Sequence, residues 1–263
     1  MLEYASTSGC RMEFLRRQLD DPEASPCGRC DNCTGERRSA AVAANVVDAA
    51  GSHAKRAWVT VEPRRQWPSG MQAVGVDLRG KIPAGEQAAD GRALARLTDL
   101  GWGSALRELL GTGVPDQPVR PQLLGAMVNV LKEWAAGDGP GSGWSGAGRP
   151  VGIVTIASRT RPRLVASLAE GIAEIGRLPI AGTVQRVRDE GHTGPSNSAW
   201  RLRSVHDAFA LSPELAAWLA DHPGPILLVD DLVDSGWTMT VVARQLKQAG
   251  APAVLPLVLA LAG

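Results

Sequence analysis

The sequence predicts a multi-domain α/β protein in three parts: a small α-helical subdomain, a mixed, mainly helical middle domain (winged-helix-like in one reading), and a C-terminal parallel α/β sheet. Three observations lead there. All four cysteines lie between positions 10 and 33. Segments with helical apolar spacing dominate the middle of the chain. From Val151 onward, short apolar runs alternate with amphipathic ones, the pattern of a parallel sheet covered on both faces. The parts span residues 1–38, 39–136 and 150–263, with 137–149 as a linker.

Composition bounds the function classes. Hydrophobic residues make up 44% and charged residues 21% of 263, the balance of a folded globular chain. The formal net charge is +1, so any attraction to nucleic acid must be local. Met1–Thr7 lacks the basic start and apolar run of a secretory signal. The longest apolar stretch, Ala253–Ala262, is too short to span a bilayer and contains Pro256. The expectation is a cytoplasmic protein with no membrane partner.

Residues 11–19 form an amphipathic helix with Met12, Leu15 and Leu19 on one face, followed by a cysteine-rich loop at 27–33. Residues 39–50 are Ala- and Val-rich and read as helix. In the middle, 57–61 reads as a strand, while 92–100, 104–110 and 121–134 read as three helices, the first two split by Gly101-Trp102-Gly103. Three such helices suit a helix-turn-helix or winged-helix module as well as any other small helical domain. The glycine-rich segment 137–149 is the expected linker, because so many glycines hold regular structure at high entropic cost. Beyond it come a strand at 151–156, a helix at 162–175, a strand at 178–184, a strand at 226–229, a helix at 238–249 and a strand at 254–259.

Cys10, Cys27, Cys30 and Cys33 have the spacing C-x16-C-x2-C-x2-C. Two-residue gaps in a tight turn bring thiolates within reach of one ion, about 2.3 Å from sulfur to zinc. One ligand precedes the first helix and three follow it, so a structural zinc would staple helix to loop. Four thiolates also suit an iron–sulfur cluster, but the ferredoxin-type run with a nearby fourth cysteine followed by proline is absent. A redox Cys-x-x-Cys pair would need a thioredoxin-like strand before it, and none is evident. Residues 1–40 hold six arginines and seven acids, a net of −1. Phosphate contact there would rest on single residues such as Arg11, Arg16 and Arg17, which also suit a solvated helix face.

The stretch Tyr4–Arg11, Phe14-Leu15 and Cys27-Gly-Arg-Cys30-Asp31-Asn32-Cys33 resembles the zinc-binding subdomain of RecQ-type DNA helicases over about residues 2–35. The resemblance implies DNA as a partner, a role in repair or recombination, and a helicase motor domain upstream or in trans. No motor signature is present. The nearest match to a phosphate-binding loop, Gly75–Ile82, lacks the Ser or Thr for Mg²⁺ and runs into Pro83. The expectation is that the chain begins where such a motor would end, and that it unwinds nothing alone.

Ile226–Val229 delivers Asp230 and Asp231 to a strand end, and Asp234-Ser235-Gly236-Trp237-Thr238 then opens a helix. Ligands of open α/β sheets bind at such strand ends, and the turn's N–H groups make an anion site. Adjacent carboxylates suit ribose hydroxyls or Mg²⁺. This segment resembles the PRPP-binding motif of type I phosphoribosyltransferases, a resemblance that covers about residues 150–262, and within it Asn197–Arg201 and Ser204–Phe209 resemble the ComF-like branch. The resemblance implies that Asp230 and Asp231 bind ribose hydroxyls. It places Asp234 beside the reacting carbon as the catalytic candidate, with Ser235, Gly236, Trp237 and Thr238 holding a 5′-phosphate. It also implies a pyrophosphate loop at Ser158 and Arg159, a hood over 185–206, and Mg²⁺ with PRPP as the cofactor pair. Residues 149–204 carry nine arginines against Glu170, Glu174, Asp189 and Glu190, a local net of +5 that suits phosphates.

Three functional readings follow. One is an accessory DNA-binding module of a RecQ-like helicase with a nucleotide-binding domain. The second is a Mg²⁺-dependent phosphoribosyltransferase, and the third a structural docking platform. His53, His192, His206 and His222 show no metal spacing, and Arg64-Arg65-Gln66-Trp67-Pro68 reads as a packed turn or a DNA-stacking segment, with the turn favoured.

Overall fold

The computed structural model describes residues 2–37, 41–54, 58–137, 141–188 and 197–263. Residues 38–40 and 57 of the expected elements, 138–140 of the expected linker, and 189–196 of the expected hood lie outside the described residues. The chain divides into two compact units, Met1–Ala50 and Gly51–Gly263.

The first unit contains α1 (Leu2–Ser6), α2 (Arg11–Gln18) and the single turn α3 (Asp31–Thr34). The next helix, α4 (Ala44–Ala54), contains the boundary. Helix α2 lies where the apolar spacing places it. Cys10 is its N-cap, and its sulfur accepts from Glu13 N–H.

The second unit is built on a mixed seven-stranded sheet, and ten α-helices occur among the described residues of the whole chain. Its strands are β1 (Val59–Val61), β2 (Gly91–Arg96), β3 (Gly152–Ile156), β4 (Ile180–Arg186), β5 (Phe209–Ala210), β6 (Ile226–Val233) and β7 (Val254–Leu261). They lie in the order β1-β2-β7-β6-β3-β4-β5. The five inner strands pair in parallel, while β1 and β5 add antiparallel edges. The order reverses between β3 and β6, so the switch point of this doubly wound sheet lies between their ends.

Helices cover both faces. On one, α5 (Gly103–Leu110), α6 (Pro121–Ala136) and α7 (Pro162–Gly176) bury Leu106, Met127, Trp134 and Leu168 against Ile153, Leu227 and Leu257. On the other, α9 (Pro213–Asp221) and α10 (Trp237–Gln248) bury Leu215, Leu219, Val242 and Leu246 against Val154, Leu228 and Val258. A third cluster joins Trp67, Met71 and Ile82 to Leu202 of α8 (Ser198–His206) and to Trp237.

Two expectations are corrected here. Residues 92–100 do not form a helix: Gly91–Arg96 is a strand, registered Arg92 to Leu257 and Ala93 to Val258. The separate middle domain disappears with it, because β1 and β2 extend the C-terminal sheet and α5 and α6 cover it. A winged-helix module is therefore not what this segment builds. The glycine-rich segment lies within the second unit, where Trp144 packs on Trp134 and the Ser145 hydroxyl donates to the Asp90 carbonyl. The physical reason lies at β7. All eight of its residues are buried, so both of its edges need a hydrogen-bonding neighbour. Gly91 admits the approach, since a Cβ there would meet the Pro256 carbonyl oxygen at 2.5 Å.

Candidate functional site

In the first unit the four expected thiols converge. Cys10, Cys27, Cys30 and Cys33 place their sulfurs within 4.8 Å of one another, none in a disulfide. A tetrahedron with arms of about 2.3 Å has edges of about 3.8 Å, so a small inward movement completes a zinc shell. Cys10 Sγ lies 4.0 Å from Cys30 Sγ and accepts from Cys27 N–H at 3.2 Å and Glu13 N–H at 3.4 Å. Backbone N–H groups of Glu13 and Cys27 pull the Cys10 thiol down to about 6. The hydrogen bond with Cys30, then burial, push Cys33 up to about 11. Cys30 is also lowered, first by its hydrogen bond with the Arg11 backbone, so backbone N–H groups favour the thiolate form at two of the four sulfurs, the form that ligates a metal.

The residues between the cysteines hold this cluster in place. Arg11 grips Asp31 with Nε at 2.8 Å and a terminal nitrogen at 3.1 Å, donates to the Tyr4 carbonyl at 2.7 Å, and lies over the Tyr4 ring. The Asn32 amide donates to the carbonyls of Thr7 and Gly9 at 2.7 and 2.8 Å. Helix start, turn and N-terminal segment are thereby tied around the sulfurs. Among the described residues of this unit, Cys10 alone is buried. So small an apolar core is a weak basis for holding forty residues together, and a metal held by the four thiolates would add a cross-link. Arg16 and Arg17, candidates for phosphate contact, pair instead with Asp21 and Glu13.

In the second unit, the candidate phosphosugar residues gather at the switch point. Strand β6 runs to Val233, so Asp230 and Asp231 sit inside the ladder near its C-terminal end. Both are buried. Asp231 pairs with Arg161 at 3.3 Å, and Asp231 N–H donates to Asp230 Oδ1 at 2.9 Å. Burial, and the Asp231 carboxylate beside it, hold Asp230 well above the usual carboxylate range. Asp234 is exposed and meets Arg201 of α8 at 2.8 Å.

The loop then turns at Gly236, whose φ of 78° caps α10. Among the described residues, the N–H groups of Ser235, Gly236, Trp237 and Thr238 have no acceptor, so they form an anion-ready helix start. Trp237 offers only its backbone to that site. Its side chain is 2% exposed, stacks on Trp67 at 6.2 Å, and donates from the indole to Ser198 at 3.0 Å. Trp67 is accordingly a packed residue, in line with the packed-turn reading of its segment.

The loop after β3, where Ser158 and Arg159 are the expected pyrophosphate residues, carries contacts of its own. The Ser158 hydroxyl accepts from Arg161 N–H at 3.1 Å, and the Arg161 guanidinium is spent on Asp231 and the Leu110 carbonyl. The Asp116 carboxylate occupies the start of α7, accepting from Arg163 N–H at 2.8 Å and Leu164 N–H at 3.1 Å. Nothing in the sequence near Asp116 signals this contact, which spans 47 and 48 positions. Arg64 was also not expected here. It donates from Nε at 3.0 Å and a terminal nitrogen at 2.7 Å to the Ser235 carbonyl. Gly75–Ile82 forms no phosphate loop: Lys81 bridges to Gln66, and only a short 3-10 turn at Ala84–Glu86 follows. Of the histidines, His206 contacts Asp207 and His222 stacks on Trp218, which leaves neither in a metal set.

No known family model and no curated protein matches the chain. No helix among the described residues is long and apolar enough to cross a membrane.

Proposed function

We propose that this chain is a zinc-stapled accessory module of a RecQ-type DNA helicase, carrying an α/β unit that binds a ribose 5′-phosphate ligand. The observation that carries the reading is the thiol tetrad bound up with its own motif: Arg11 on Asp31, and Asn32 on Thr7 and Gly9. Zinc there supplies a structural cross-link. DNA contact would use Arg16 and Arg17, whose ion pairs, part-buried for Arg16 and exposed for Arg17, can be exchanged for a phosphate. Unwinding requires a motor on the same polypeptide or in trans.

Binding is favoured over phosphoribosyl transfer by one feature. Asp116 and Asp231 already engage the α7 start and Arg161, where released pyrophosphate would need free donors and cations. In the binding role, the buried Asp230 and Asp231 carboxyl groups take the ribose hydroxyls, while the unpaired N–H groups of 235–238 take the 5′-phosphate.

Fluorescence anisotropy with a labelled forked duplex tests the DNA half. Affinity should fall steeply with salt and fall again on chelation or in the Arg16→Ala, Arg17→Ala double variant. No binding at low salt, or binding indifferent to chelation, would contradict the proposal. Asp230→Asn with Asp231→Asn should abolish calorimetric binding of ribose 5-phosphate with Mg²⁺.

A further inference from the structure

The four thiols of the first unit differ in what reaches them. Cys10 is buried, Cys27 and Cys30 are half-buried, and Cys33 is exposed. Cys10 Sγ is further enclosed by the N–H groups of Glu13 and Cys27. A reagent arriving from water therefore meets the cluster first at Cys33.

Cys30 and Cys33 also form a pair by geometry. They bracket the turn of α3, Cys30 as its N-cap and Cys33 within it, and Cys33 N–H donates to the Cys30 carbonyl at 2.9 Å. Residues three apart at a helix start have Cα atoms about 5 Å apart, inside the span of roughly 4.4–6.8 Å that a disulfide bridges. Their sulfurs already lie within 4.8 Å of each other. The turn that carries them is held by more than the sulfurs. Arg11 grips Asp31, and the Asn32 amide donates to the Thr7 and Gly9 carbonyls. The two residues between Cys30 and Cys33 thus keep their anchors whether or not a metal is bound, and a reduced pair returns to its ligand positions.

We propose that Cys30 and Cys33 form a reversible disulfide when the chain meets a hydroperoxide, and that this oxidation empties the zinc site. The inference rests on the zinc reading of the tetrad and adds its regulation. With hydrogen peroxide, the Cys33 thiolate attacks one peroxide oxygen. The O–O bond breaks, a sulfenic acid forms on Cys33, and hydroxide leaves. The Cys30 thiolate then attacks the Cys33 sulfur, so that the S–S bond forms, the S–O bond breaks and a second hydroxide leaves. Two thiolates lose two electrons, and with two protons from solvent the peroxide becomes two waters. Only Cys10 and Cys27 remain as ligands, half of a tetrahedral set.

The test uses the full chain, loaded with zinc and treated with hydrogen peroxide beside a chromophoric chelator that reports released metal. One zinc should appear for every two thiols lost, and peptide mapping should find Cys30 joined to Cys33. Dithiothreitol with added zinc should restore the site. Cys33→His and Cys27→His each keep four zinc ligands in a Cys₃His set. Release from Cys33→His should be about tenfold slower or more, because its remaining thiols are shielded, while Cys27→His should respond like the parent. Zinc retained by the parent under excess peroxide overturns the inference, as does a disulfide that uses Cys10 or Cys27. Release from Cys33→His as fast as from the parent overturns it too. All three results leave the zinc reading standing. Should Cys33→His hold no zinc, the pair mapped in the parent decides alone. A reduced chain that takes up no zinc sinks the zinc reading and the inference together.

Discussion

Asp230→Asn should make the protein more stable at neutral pH, an unusual outcome for a buried polar position. Asp230 is enclosed, with Asp231 beside it, and both conditions oppose its charge. Its carboxyl therefore keeps a proton in the folded state at pH values where the unfolded chain, with an ordinary carboxylate near about 4, has released it. Where the folded state binds more protons than the unfolded one, stability falls as pH rises. The contribution is fully present below about pH 4 and is lost as pH climbs toward the raised folded value. The slope approaches about 1.4 kcal/mol per pH unit within that window. Asparagine removes the titration and keeps an oxygen to accept Asp231 N–H, the contact Asp230 makes at 2.9 Å. Urea unfolding of parent and variant at pH 5 and pH 7.5 isolates the effect, because the other titrating groups cancel between the two. The variant's advantage in midpoint should grow with pH while the m-value stays constant. Parallel pH profiles, or a gap that shrinks as pH rises, would refute the assignment of a proton to this buried pair.

Trp237→Ala should cost about 3–5 kcal/mol, since it empties a fully buried site, ends the stacking on Trp67 and strands Ser198. Thermal and urea unfolding would measure this, and a loss under about 1 kcal/mol would deny Trp237 its packing role. Asn32→Ala should weaken zinc binding by about 10–100-fold in competition with a chromophoric chelator, because two carbonyl contacts that hold the cysteine turn disappear. Unchanged metal affinity would mean that those contacts do not support the site.

The parts of the chain legible in its sequence are those whose chemistry is local. The cysteine spacing names its own cluster, and the run from Ile226 to Thr238 names a strand, an acidic pair and a helix start, all of which appear in the fold. Residues 91–96 were not legible. Arg, Ala and Leu favour helix intrinsically, and only the demand of the fully buried β7 for a partner converts them to strand. With that one element misassigned, the middle of the chain reads as a separate helical domain, although α5 and α6 were placed correctly. Helices α8 and α9 were missed: α8 has a mixed, arginine-bearing face with only Ala199 and Leu202 buried, and α9 is a short helix anchored by Leu215 and Leu219. At the candidate phosphosugar site, the sequence offered the acids and the loop but not the groups that meet them. Asp116, Arg161 and Arg64 reach their partners across 47 to 171 positions, and nothing in their own neighbourhoods marks them.

The central proposal is that a single metal ion organises the first fifty residues. Elemental analysis of the purified full chain, before and after dialysis against a strong chelator, addresses it directly. One zinc per chain, no stoichiometric iron, and loss of amide protection in Met1–Ala50 once the metal is removed are expected, with Gly51–Gly263 unaffected. A chain that carries no bound metal as purified, and whose N-terminal amides exchange equally slowly with and without chelator, would contradict it.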